Sequence, residues 1–197
     1  MRIGLLASMI AIGSMIVLIG CGTGADAPPE PVRPSPTDAA SPIPPVKNPR
    51  DVAAMARRTC ELLTPQQAKG FGLDLPPTQR HGLFGSLDCE WTSTTRERQI
   101  VRTVDISLFT NNLTLEAVYD RRQGLPFFEL TEIAGYPATV SRTNADQPIC
   151  DIAVKPAEHQ SVSVTYYSKD FNNDPQQACV VGKQVAAAAL MNLPLKR

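Results

Sequence analysis

The clearest structural signal in the sequence is IVRTVDISLF, residues 100–109, in which apolar and polar side chains alternate. Alternation with a period of two is typical of a strand that buries one face and exposes the other. The pattern predicts a strand whose apolar side chains point inward and whose polar side chains point outward. The inward set is Val104, Ile106 and Leu108, and the outward set is Thr103, Asp105 and Ser107.

Weaker patterns on both sides of this strand predict the remaining elements. Further strands are expected to begin at Cys89 and to cover 137–143, 149–155 and 161–168. Capping residues, apolar spacing and stop signals predict helices over 51–58, Thr64–Gly70, Thr114–Gly124 and Asp174–Asn192. The order α-β-β-α-β-β-β-α predicts an α+β domain, with a single antiparallel sheet of about five strands and helices packed on it.

Residues 1–20 have the features of an export signal. Arg2 is followed by an uncharged run to Gly20, and the run ends in Leu18-Ile19-Gly20-Cys21. These four residues have the pattern of a bacterial lipobox, so we expect cleavage before Cys21 and lipid attachment to its thiol. The alternative is a membrane-spanning helix, because the run just reaches the length that a bilayer requires.

Residues 21–50 are predicted to be a disordered spacer. Nine of the 18 prolines fall in this segment, which has almost no large apolar side chain. Such a composition cannot bury enough surface to form a core, and proline favours an extended chain. The segment would hold a domain away from a membrane surface; the competing interpretation is a proline-rich ligand for a partner.

Residues 51–197 remain for one globular domain, which contains four cysteines. An even number of cysteines in an exported domain indicates disulfides. Three pairings are possible, and the equal separations (89 − 60 and 179 − 150, both 29) favour Cys60–Cys89 and Cys150–Cys179. The sequence has no Cys-x-x-Cys and no histidine at ligand spacing from a cysteine, so no metal site is predicted.

No catalytic signature stands out in the sequence. A Gly-x-Ser-x-Gly elbow and a phosphate-binding glycine loop are both missing, so we predict no catalytic residue and no cofactor. His81 and His159 are expected in exposed loops. Asp88, Glu90 and Asp105 are conceivable catalytic acids, but acidic residues near strands are normally solvated.

Trp91 and two apolar stretches are the candidates for ligand contact. Trp91 follows Cys89 by two residues, so it should share the buried face and pack against the first disulfide, with ligand stacking as the alternative. The apolar stretches lie in the predicted loop 71–86 and at 125–128. If both were exposed together, they would form a binding patch.

A set of short motifs occurs in a fixed order along the chain. They are Cys21 after an apolar leader, the proline-rich spacer, Cys60-Glu61-Leu62-Leu63-Thr64, Cys89-Glu90-Trp91, Gly135-Tyr136-Pro137-Ala138, Cys150-Asp151-Ile152-Ala153-Val154 and the helix with Cys179. This ordered set resembles a family of actinobacterial cell-envelope lipoproteins of unknown function, which includes several mycobacterial surface lipoproteins. The resemblance covers nearly the whole mature chain. It implies an exported lipoprotein with paired cysteines and brings no established catalytic residue.

The balanced charge, 19 basic against 19 acidic residues, gives no indication of a nucleic-acid partner. The predicted tether, the disulfide-locked domain and the missing catalytic signature lead us to expect a non-enzymatic lipoprotein on the outer face of the cytoplasmic membrane. Its role would be binding or scaffolding in the cell envelope. Its partner would be an envelope protein, a wall component or a small solute. The alternative is an envelope enzyme, such as a hydrolase that acts on cell-wall material.

Replacement of Cys21 by Ser should abolish lipid attachment, because the thiol is the acceptor in a lipobox. Cells that express either form would be labelled with a palmitate analogue, and labelling should be lost in C21S. Equal labelling of the two forms would exclude Cys21 as the site. A diacylglyceryl group would place two acyl chains on this cysteine, and two acyl chains anchor a protein stably where a single one does not.

Overall fold

The computed structural model of the protein describes residues 41–82, 85–111 and 113–197. The predicted leader, Cys21 and the first part of the predicted spacer lie outside the described residues. The α+β class, the single antiparallel sheet and the presence of two disulfides are confirmed.

The sheet has seven strands, each antiparallel to its neighbours, in the order β1-β2-β3-β7-β6-β5-β4. Strand β3 is the alternating stretch, and its predicted inward residues are all buried. It pairs with β7, although about fifty residues separate them in the chain. The strands are β1 Thr78–His81, β2 Leu87–Thr94, β3 Ile100–Phe109, β4 Phe127–Ile133, β5 Tyr136–Arg142, β6 Ile149–Ala157 and β7 Gln160–Ser168.

Three α-helices accompany the sheet: α1 Pro65–Gly70, α2 Leu115–Asp120 and α3 Gln177–Asn192. Helix α3 packs on the inner face of the sheet, mainly over β6 and β7, and α2 lies on the outer face beside β5 and β6. Short 3-10 helices occur at Ala53–Met55, Thr59–Leu62 and Lys169–Phe171.

The prediction of about five strands is wrong, because both edge strands were missed. Strand β1 lies within the predicted loop 71–86; all four of its residues are exposed, so it carries no alternating signal. Strand β4 contains two residues of the apolar stretch 125–128 and pairs with β5 along its whole length. An edge strand makes ladder hydrogen bonds on one side only, and neither of these strands alternates clearly between buried and exposed side chains.

Three predicted helix boundaries also differ from the structure. The helix predicted over 51–58 is reduced to the 3-10 helix Ala53–Met55. Helix α2 ends at Asp120, before the turn that leads to Gly124, and α3 begins at Gln177 after turns at Asp174 and Pro175.

The two disulfides join helical segments to strands of the sheet. Cys60–Cys89 links the 3-10 helix Thr59–Leu62 to β2, with a Cα–Cα distance of 5.1 Å. Cys150–Cys179 links β6 to the first turn of α3, with a Cα–Cα distance of 5.0 Å. These are the pairings that the equal separations favour.

The segment that precedes residue 51 contacts the domain through several residues, of which Ile43 and Arg50 are examples. Ile43 is buried in a small cluster with Leu115 and Ala153 on the outer face of the sheet. The Arg50 guanidinium donates to the Tyr136 hydroxyl (2.9 Å) and to the Leu193 carbonyl (2.6 Å), just beyond the end of α3. The last ten residues of the predicted spacer, 41–50, therefore include side chains that pack on the domain.

Gly182 sets the distance between α3 and the sheet. A Cβ atom at this position would lie 2.6 Å from Ile152 Cδ1 and 3.3 Å from Tyr166 Cβ. Both neighbours are fully buried in the core. Only a residue without a side chain allows the helix to approach β6 and β7 this closely.

The substitution Gly182→Ala should lower the free energy of unfolding by about 1–2 kcal/mol, because overpacking outweighs the gain in helix propensity. Gly70→Ala is the matched control, since a Cβ at Gly70 meets nothing within 4 Å. Urea unfolding followed by circular dichroism measures both changes. A G182A protein as stable as G70A would show that the helix is not held at this distance.

Candidate functional site

An apolar groove lies beside the first disulfide, on the inner side of the sheet near β1 and β2. Its volume is about 780 Å³, within the range of ligand-binding cavities. We call it the disulfide groove. Its apolar lining comprises Leu63, Pro65, Ala68, Leu73, Leu75, Pro76, Pro77, Trp91 and Cys60, and its polar lining comprises Glu61, Thr64, Lys69 and Asp74.

The first wall of the groove is α1, which is fixed by a capping box. The Thr64 hydroxyl accepts from the Gln67 backbone N–H (3.2 Å), and the Gln67 side chain accepts from the Thr64 backbone N–H (2.8 Å). The Asn192 side chain at the end of α3 donates to Gln67 Oε1 (2.8 Å) and to the Leu62 carbonyl (2.9 Å). The wall is therefore tied to the main helix of the domain.

The second wall is the loop that leads from α1 to β1. Gly72 has a φ of +71°, and its carbonyl accepts from the Arg102 guanidinium (3.0 Å), which also pairs with Asp170. The Leu75 N–H donates to the Thr92 carbonyl (3.1 Å) and holds the loop against β2. These bonds give the loop a defined path without regular secondary structure.

Core residues form the floor of the groove. Trp91 has 1% of its surface exposed and lies on the same face of β2 as Cys89, as the two-residue spacing predicts. Leu63 and Leu73 are buried beside it. Trp91 is thus a core residue that also lines the groove, so core packing and ligand contact are not exclusive roles for it.

The rim of the groove combines exposed apolar side chains, Leu75 among them, with three charged residues. Leu75 is 42% exposed. Glu61 forms an ion pair with Arg58 (3.2 Å), whereas Lys69 and Asp74 form no ion pair with any described residue. The interior of the groove is therefore apolar, and its charges lie at the edge.

Two of the three acids considered from the sequence meet on the outer face of the sheet. Glu90 and Asp105 are cross-strand partners on β2 and β3, and both pair with Arg80, which lies 3.1 Å from Glu90. Burial raises the pKa of Asp105, and the neighbouring Asp88 and Glu90 raise it further. The Arg80 guanidinium lowers the same pKa. Asp88 lies on the same face of β2 and accepts from the Ser86 hydroxyl (2.7 Å).

A fourth acid of this face, Asp151, is not among the site residues predicted from the sequence. It is the cross-strand partner of Thr165, which in turn is opposite Asp105, and the Thr165 hydroxyl donates to Asp151 Oδ1 (2.7 Å). Burial raises the pKa of Asp151, and the Thr165 hydrogen bond opposes the shift.

Both histidines are exposed, as predicted, but His81 lies in a strand and not in the predicted loop. His81 ends β1, and His159 occupies the β6–β7 turn with a φ of +61°. Lys155, close to His159 in the chain, is buried and pairs with Glu116 (2.9 Å) and Glu158 (2.8 Å). In the part of the chain that the structure describes, no group of three or more His, Cys, Asp or Glu residues is placed to hold a metal ion.

The two predicted apolar stretches do not form one patch. Loop 71–77 adjoins β1 and β2, whereas Phe127 and Phe128 belong to β4 at the opposite edge of the sheet. Phe128 packs edge-on against Tyr119 of α2, with ring centroids 5.9 Å apart. Leu83 and Phe84 lie outside the described residues. The hypothesis of a joint patch is therefore wrong, and the first stretch alone contributes to the groove.

Comparison with protein families matches residues 16–192 to the family described as protein of unknown function (DUF3558). The chain belongs to this family. The match includes Cys21, the four paired cysteines and every residue of the disulfide groove. Neither the curated proteins nor the solved structures give a significant match.

None of the helices in the described ranges has the length and apolar character needed to cross a bilayer. The DUF3558 match begins within the apolar leader, outside those ranges.

The substitution Asp151→Asn should stabilise the protein more at pH 7 than at pH 3. A raised pKa in the folded state favours the neutral carboxyl, so the wild type loses stability as the pH rises through the carboxyl range. Asparagine stays neutral and still accepts from Thr165. The difference in Tm between D151N and wild type should grow from pH 3 to pH 7, and D146N, in an exposed loop, is the control. A constant difference would contradict the assignment.

Proposed function

We propose that the protein is a membrane-anchored extracytoplasmic lipoprotein that binds an apolar group of an envelope partner in the disulfide groove. The observation that carries the proposal is the groove itself, an apolar cavity with charges only at its rim. Its walls are held by a disulfide, a capping box and backbone hydrogen bonds. A preformed site of this kind loses little conformational entropy when it binds.

The sequence supports the anchor and the compartment. Leu18-Ile19-Gly20-Cys21 follows an apolar leader, and the family match begins at residue 16 and so includes this motif. Disulfides persist in oxidising compartments outside the cytoplasm, and the domain has two. Attachment at Cys21 would place the domain at the outer face of the cytoplasmic membrane.

The alternative function is that of an envelope enzyme, such as a hydrolase. The observation that favours it is the pairing of Asp105 with Glu90 across neighbouring strands, because burial raises the pKa of Asp105 and adjacent carboxyl groups are a common acid–base arrangement. Against it, both acids share the Arg80 guanidinium on the open face of the sheet. We therefore favour binding through the groove.

Site-specific crosslinking in intact cells tests the binding role. A photoactivatable amino acid replaces Leu75 at the rim of the groove or, as the matched control, Val180 on α3, which is 45% exposed against 42% for Leu75. The Leu75 position should yield a reproducible adduct that the Val180 position does not give. Mass spectrometry would identify what is captured.

Identical adducts from both positions, or none from Leu75, would contradict a specific site. Turnover of wall material by the full-length protein, lost in D105N, would favour the enzyme instead.

A further inference from the structure

The disulfide groove offers few hydrogen-bond donors to a ligand. Three of its lining residues, Pro65, Pro76 and Pro77, have no backbone N–H. The N–H groups of Leu73 and Leu75 donate to the carbonyls of Ala68 (3.0 Å) and Thr92 (3.1 Å). These walls therefore present hydrocarbon to the interior of the groove.

The side chains of the walls extend this pattern. The Thr64 N–H is bonded to the Gln67 side chain (2.8 Å), and the Thr64 hydroxyl, which accepts the Gln67 N–H (3.2 Å), keeps its own O–H as a donor at the exposed end of the wall. The remaining lining groups below the rim are aliphatic, aromatic or sulfur-containing, and the indole N–H of Trp91 is the one donor among these side chains. A polar ligand group inside the groove would exchange its bonds to water for contact with apolar atoms, which is unfavourable.

The small number of donors in the groove discriminates between classes of ligand. The successive backbone carbonyls of a buried peptide would find too few donors here, and each unpaired buried carbonyl costs free energy. A hydrocarbon chain needs no hydrogen bond and gains from burial in an apolar cavity. The groove therefore favours an alkyl chain over a peptide backbone.

The rim provides complementary charge for a polar head group. Lys69 lies at the edge of the groove and has no ion pair with a described residue, whereas the nearby Glu61 carboxylate is paired with Arg58. Asp74 also lies on the rim without an ion pair, so the rim carries both signs. The Lys69 ammonium is available to an anionic group whose chain lies in the groove.

On these observations, and resting on the proposed binding role, we propose that the disulfide groove binds the single hydrocarbon chain of an amphiphile, with the polar head group at Lys69. A fatty acid and a single-chain phospholipid share this chemistry. They differ in the charge that they bring to the rim.

Trp91 gives a direct test, because it is the only tryptophan in the chain and lines the groove. The full-length protein is purified from membranes and reconstituted in phosphatidylcholine vesicles. The probe is 9,10-dibromostearate, whose bromine atoms quench tryptophan fluorescence on contact. Quenching should saturate as the probe is added, and unbrominated stearate should reverse it.

Three variants locate the binding. Leu75→Glu should weaken the apparent affinity for dibromostearate about tenfold or more, and Leu75→Met should restore it. Val180→Glu, at a similarly exposed position on α3, should match the wild type. Circular dichroism checks that each variant is folded, which is expected because Leu75 is partly exposed.

The head group is resolved in a second arm with a brominated lysophosphatidylcholine. Lys69→Gln should weaken stearate binding several-fold and change lysophosphatidylcholine binding less, if the ligand is a free fatty carboxylate. An equal effect on both would assign the phosphate of a lipid as the group at Lys69. Either result supports the alkyl chain in the groove.

Quenching that does not saturate, or that is equal in L75E and V180E, would show that the probe reaches Trp91 from the bilayer and not from the groove. Either result would overturn the inference. A peptide of residues 22–40 that shifts Trp91 emission, where dibromostearate has no effect, would assign the groove to a proline-rich segment. If Leu75 crosslinks to a protein in cells while the probe fails to quench, the alkyl-chain inference fails and the binding role stands.

Discussion

The close approach of α3 to β6 and β7 is the contact on which the rest of the domain depends. Gly182 brings the helix backbone against Ile152 and Tyr166, and Cys150–Cys179 fixes one end of the helix to the sheet. At its other end, Asn192 donates to α1 and to the Leu62 carbonyl. One helix therefore covers the middle of the sheet and also positions the short elements that cover the β2 side.

The disulfide groove follows from the size of that single helix. A helix is about 10 Å wide and neighbouring strands are about 4.8 Å apart, so one helix covers only part of a seven-stranded sheet. Near β2 the inner face is covered instead by the 3-10 helix Thr59–Leu62, by α1 and by loop 71–77. These short pieces pack less continuously than α3. The Cys60–Cys89 disulfide attaches them to the sheet and so substitutes for a larger packing interface.

Elements with one buried face could be predicted from the sequence, and elements without one could not. The alternation of β3 was sufficient because its alternate side chains meet the core. Strand β1 was missed because it is exposed throughout, and β4 because an apolar run after a helix stop does not distinguish a strand from a loop. The apolar stretch beside α1 was recognised, but its proximity to Trp91 depends on how the loop folds back onto β2.

The alternation along β2 separates the two kinds of candidate chemistry in this domain. Cys89 and Trp91 point to the inner face and line or support the groove, whereas Glu90, between them, points to the outer face and meets Asp105 and Arg80. A single strand thus contributes to an apolar site on one face and to a carboxylate cluster on the other. Because the sheet lies between them, a substitution at Glu90 or Asp105 leaves the groove walls untouched, and a substitution at Leu75 leaves the carboxylates untouched. Binding and acid–base chemistry can therefore be examined independently in the same protein.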